Sequence, residues 1–210
     1  MPRPADRLER VIGRVAAFAV SAAAPGDHHS GTKNWPHHPP TSQSHAARSK
    51  ETRTMTLNNQ HIDGRDEAEI RSVLLGYVAA LDGRNFEQLA DAFTETAELE
   101  NTFESYIPGG DAFTGVMARG AKDIAGAIGD LMGRLDATQH FLGAMWLEPT
   151  AAGVRTRTQV IAHHHRGTGF YHTGGTYTDS FVRTDSGWRI DRRVLHTSWT
   201  TGEPSVVAGA

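Results

Sequence analysis

Apolar residues recur with a helical period in the middle of the chain. Ile70, Val73, Leu74, Tyr77, Val78 and Leu81 fall at i, i+3, i+4, i+7, i+8 and i+11, one stripe of an amphipathic helix. Asp66, Glu67 and Glu69 occupy its first turn, where the helix dipole favours anions, and Gly83 follows as a C′ stop. A second, short helix puts Phe86, Leu89, Ala90 and Phe93 on one face. A third, over about 119–135, aligns Ile124, Ala127, Ile128, Leu131 and Leu135. After Ala137 the pattern changes to that of strands, over 138–148, 154–166, 170–183 and 187–200, with one short strand near 97–103 before them. The breaks between the four long strands are of hairpin length, so those strands should be sequential and antiparallel. This order predicts an α+β fold, a curved sheet with about three helices on one face and a hollow between them.

Residues 1–54 show neither period. They hold 6 of the 9 prolines and 5 of the 12 histidines, with 8 Lys/Arg against 4 Asp/Glu. Such a stretch buries too little apolar surface to offset ordering entropy, so it is expected to be a disordered tail, or an over-read that precedes a true start at Met55. Residues 11–24 loosely resemble a secretion signal, against which stand Asp6 and Glu9 and a weak apolar core. The expected folded domain is 55–205.

Composition narrows the function. The whole chain has 210 residues and a net charge of -3, without the positive excess that a nucleic-acid binder uses on phosphates. It has no cysteine, which excludes thiolate catalysis and cysteine-bound metals. No apolar run approaches the roughly 18–20 residues of a membrane span. A cytoplasmic protein that binds neither membrane nor nucleic acid is expected.

Several polar residues interrupt the apolar pattern. Asp82 ends the first helix, where it opposes the dipole, which should raise its pKa. Tyr77 lies within the stripe. His140 begins a strand and by alternation shares a face with Leu142, Ala144 and Trp146. Of His163, His164 and His165, only His164 falls on the small apolar face with Val154, Thr156, Thr158, Val160 and Ala162. Two inward histidines are too few for a zinc site, so no metal is expected. In the last strand, parity puts Arg193 on the outward side with Arg189, Asp191, Leu195 and Trp199, unless a bulge re-aims it. There is no phosphate loop, nucleophile elbow or dinucleotide fingerprint, and no cofactor is called for.

The runs Tyr77-Val78-Ala79-Ala80-Leu81-Asp82, Thr138-Gln139-His140-Phe141-Leu142-Gly143, Gly174-Gly175-Thr176-Tyr177-Thr178-Asp179 and Gly187-Trp188-Arg189-Ile190-Asp191-Arg192-Arg193 resemble the SnoaL-like branch of the NTF2-like superfamily. The likeness spans about 62–202. Within the branch the chain is similar to the group of scytalone dehydratase, bile-acid 7α-dehydratase and hexachlorocyclohexane dehydrochlorinase. The resemblance implies a cone-shaped fold and a catalytic Asp82–His140 dyad. It also implies roles in the pocket for Tyr77, His164 and Arg193; Tyr106, Trp146 and Tyr177 are the candidate substrate-binding residues, Trp146 by its alternation with His140. Gly175 and Tyr177 stand near where scytalone dehydratase has a serine and an asparagine. The implied activity is a cofactor-independent lyase, of dehydratase or hydratase type, on a small apolar, polycyclic or aromatic molecule. The same fold also hosts isomerases, polyketide cyclases, small-molecule binders and oxygenase small subunits. A homo-dimer or homo-trimer is expected.

Overall fold

In a computed structural model the described residues are 62–103 and 113–208. Residues 1–54 and Tyr106, on which expectations were placed, therefore lie outside the described residues.

The first helix, α1 (Gly64–Asp82), begins where Asp63 accepts a hydrogen bond from the Asp66 N–H at 2.7 Å. Its stripe is buried as the period requires, with Ile70, Leu74, Tyr77, Val78 and Leu81 in the core. The anticipated second helix is a single 3-10 stretch, Phe86–Ala92, and Phe93 already belongs to the first strand. That strand, β1 (Phe93–Phe103), starts four residues earlier than expected and pairs with a strand the pattern missed, β2 (Phe113–Arg119). Helix α2 (Ala121–Met132) follows. Then come the long strands β3 (Ala137–Thr150), β4 (Gly153–Arg166), β5 (Gly169–Thr184) and β6 (Gly187–Gly202), and a last short turn of helix, α3 (Ser205–Ala208).

The strand order is β2-β1-β6-β5-β4-β3. The four long strands form the expected antiparallel meander, and β1 joins β6 in parallel. The inner sheet face packs against α1 and α2 around Ile70, Leu74, Ile124, Ile128, Phe181 and Ile190.

Three bulges decide which side chains face inward. Between Leu142 and Met145, β3 takes three steps while β4 takes two. This reverses the alternation, so Leu142, Met145 and Leu147 pack on the core while Trp146 is 55% exposed on the outer face. The expectation that Trp146 shares the pocket with His140 is thus corrected. In β6, Ile190 pairs with Phe181 and Arg192 with Ser180, leaving Asp191 as the extra residue, its carboxylate held by Thr94 at 2.7 Å. Parity flips there, and Arg193 turns into the core. A further extra residue, Ser198, turns Trp199 outward.

Candidate active site

The end of α1 and the start of β3 meet through a local device. Gly83 caps the helix in right-handed geometry, and a Cβ there would meet the Ala79 carbonyl oxygen at 2.8 Å. The left-handed residue is not this glycine but Arg84, at φ 59°. Its guanidinium donates to the carbonyls of Leu135 (2.6 Å) and Gly133 (2.9 Å), in the turn that leads into β3. Those two bonds offset the backbone strain and fasten the helix end beside the strand.

Asp82 consequently receives three donors from β3. The His140 Nδ1–H donates to Oδ1 at 2.7 Å, the His140 backbone N–H to Oδ2 at 2.7 Å, and the Thr138 hydroxyl to Oδ1 at 2.9 Å. Burial pushes the Asp82 carboxyl up, but the bonds from the His140 ring and backbone and from Thr138 outweigh it and hold the group below its ordinary value. The rise expected from the helix dipole alone is overturned by these donors. With Nδ1 committed to Asp82, Nε2 is the ring nitrogen left for a substrate. The His140 side chain is only 3% exposed and borders a cavity of about 140 Å³.

That cavity lies among apolar residues, including Leu81, Met117, Ile128, Val160 and Leu195. Its polar lining comprises Tyr77, His140, His164, Tyr177 and Arg193 from the sequence expectations, together with Asn101, Tyr171, Thr173 and Thr197, which they missed. Asn101 and Thr173 belong to strands with no clean alternation, and Thr197 follows the first β6 bulge, so no periodic signal marked them. Pro204 and Val207 close one side.

His164 faces inward, as its strand parity required, with its ring edge-to-face with His140 at 5.8 Å. Its Nδ1–H donates to the Tyr171 carbonyl oxygen at 2.8 Å. Burial lowers its pKa to about 4 despite that bond, so at neutral pH it is an uncharged imidazole with an acceptor Nε2. In that state it accepts a proton or a hydrogen bond rather than acting as a general acid.

Arg193 is fully buried between the rings of Tyr77 and Tyr177, whose centroids lie 4.3 and 4.2 Å from its Cζ. Directly across the β5–β6 ladder, Asp179 accepts from Nε at 2.7 Å and from Nη2 at 2.8 Å. Nη1 is buried without a hydrogen-bond partner. Burial raises the Tyr77 and Tyr177 hydroxyls, so both stay protonated as donors. Among the described residues, no three His, Asp or Glu side chains converge as metal ligands, and no helix is long and apolar enough to cross a membrane.

The SnoaL-like domain family matches residues 64–194. Rv2910c of Mycobacterium tuberculosis (strain ATCC 25618 / H37Rv), an uncharacterised protein, is 30% identical over 134 residues, covering 61% of this chain and 83% of that protein. A crystal structure from Novosphingobium aromaticivorans DSM 12444, provisionally assigned as a scytalone dehydratase, superposes with a TM-score of 0.53 at 24% identity, over 65% of this chain and 87% of its own. LinA superposes with a TM-score of 0.50 at 23% identity, over 66% of this chain and 89% of its own. The architecture in common is the NTF2-like fold, a curved, unclosed sheet with a few helices.

Proposed function

Because the chain belongs to the SnoaL-like domain family, we propose that it is a cofactor-independent lyase of dehydratase or hydratase type. Its substrate is a small apolar molecule, polycyclic or aromatic in class. The observation that carries this reading is the Asp82–His140 bond of 2.7 Å, which leaves Nε2 as the ring nitrogen available to a substrate on a side chain that lines an apolar cavity. Asp82 fixes the tautomer and stabilises the imidazolium that forms.

In the proposed reaction, Nε2 removes a proton from a carbon next to a carbonyl. The C–H electron pair becomes a carbon–carbon double bond as the C–O bond at the β position breaks. The departing hydroxide takes a proton from the Tyr77 hydroxyl and leaves as water, and the proton held on His140 restores the tyrosine through solvent. The Nη1–H of Arg193 donates to the carbonyl oxygen as it gains enolate charge. His164, being neutral, accepts a hydrogen bond from a substrate hydroxyl.

The test is dehydration of a panel of bicyclic β-hydroxy ketones, followed by the absorbance of the conjugated product. The wild type is expected to turn over at least one member, and His140→Ala to abolish that turnover with the fold intact. Turnover retained in folded His140→Ala would overturn the reading. An isomerase would use the same base but retain the substrate oxygen, so product analysis separates the two chemistries.

A further inference from the structure

We propose that Asp179 determines specificity by making the cavity select a neutral oxygen acceptor, such as a ketone, over a carboxylate of the same shape. This rests on the proposed function only for the identity of the oxygen that Arg193 meets, not for the selectivity.

Three lining side chains are able to carry positive charge: Arg193, His140 and His164. Each is matched or neutral. The Arg193 guanidinium is balanced by Asp179 through two bonds, and both side chains are at most 1% exposed. His140 faces Asp82. His164 is held uncharged by burial. The cavity thus meets Arg193, whose Nη1 has no partner, without any excess positive charge. A carboxylate entering it would surrender its water and meet no uncompensated cation, whereas a ketone loses far less hydration and gains the same donor.

Asp179 does not line the cavity, so it acts through Arg193 as a positioning residue. Its two oxygens hold Nε and Nη2, while the flanking tyrosine rings hold the guanidinium plane. Nη1 is the guanidinium nitrogen that this leaves without a partner. A lone arginine in the same place would present a full charge and a two-pronged fork, the geometry that recognises carboxylates.

The experiment is calorimetric titration of the full chain at pH 7.5 with 2-acetylnaphthalene and with 2-naphthoate, which differ by a methyl group in place of an oxyanion. The wild type is expected to bind the ketone about tenfold or more tightly than the acid. Asp179→Asn, which removes the counter-charge and keeps one acceptor oxygen, should shift the preference toward 2-naphthoate by about ten- to a hundredfold. Wild-type protein that binds the acid equally well, or that binds neither probe, overturns the proposal. So does folded Asp179→Asn with an unchanged preference. The wild-type comparison needs no variant and decides even where Asp179→Asn does not fold. Ketone preference without dehydration of any substrate would remove the lyase reading and leave this one standing. Dehydration with preference for the acid would do the reverse.

Discussion

His140 meets Asp82 twice, through its ring and through its own backbone N–H, each bond 2.7 Å long and spanning 58 residues of sequence. One carboxylate thus anchors the start of β3 and orients the imidazole on it. Asp82→Asn keeps an oxygen for one of these bonds but cannot stabilise an imidazolium. It should lower kcat by about 10²–10⁴ with a native near-ultraviolet circular dichroism spectrum. Asp82→Ala should lose the same activity and also about 1–3 kcal/mol of stability by chemical denaturation, since three donors are left unpaired.

His164 makes folding stability depend on pH. Its folded pKa is lowered from 6.5 to about 4 by burial, so the unfolded chain takes up the proton first. The contribution is complete above pH 6.5 and is lost as pH falls from there through about 4. By that shift it amounts to about 3 kcal/mol at most. His164→Gln should flatten the change in urea midpoint across that window. A slope as steep as in the wild type would place the titration on another group.

The Arg193–Asp179 pair is expected to behave as a buried ion pair. Arg193→Met strands a carboxylate in the core and should cost about 3–5 kcal/mol. Adding Asp179→Leu should recover most of that loss without restoring turnover. Denaturant midpoints and activity of the three variants separate the structural part of the pair from its part in catalysis.

The outer sheet face carries an apolar row across four strands. Phe141 pairs with Ile161, Ile161 with Gly174, and Gly174 with Trp199. The three large members are 50%, 42% and 43% exposed, and a Cβ on Gly174 would collide with the Trp199 ring. Contiguous apolar surface of this kind marks an interface. Light scattering should find a homo-dimer or homo-trimer, and Phe141→Lys with Trp199→Lys should shift it toward the monomer. An unchanged mass would place the contact elsewhere.

The helix stripe, the four-strand meander and the inward aim of His164 were legible because burial alone imposes their periods. The bulges were not. One extra residue at Asp191 leaves no mark on a period-2 pattern, yet it carries Arg193 from the outer face to the core. The bulge between Leu142 and Met145 likewise moves Trp146 out of the site. The direction of the Asp82 shift was not legible for a different reason. The helix dipole is local, whereas the Thr138 and His140 donors arrive from 56 and 58 residues away. Strand β2, with glycine among short side chains in Phe-Thr-Gly-Val-Met-Ala-Arg, has no alternation to betray it. Arg84 gave no signal either, because its left-handed backbone is sustained by carbonyls about 50 residues away.

Proton abstraction by His140 is tested most directly by deuterium exchange at the α carbon of 2-tetralone in buffered D₂O near neutral pH, followed by NMR. This assay needs neither a leaving group nor the natural substrate. The wild type should exchange well above the buffer rate, and both His140→Ala and Asp82→Asn should fall close to it. Exchange that is as fast in folded His140→Ala as in the wild type would contradict the account.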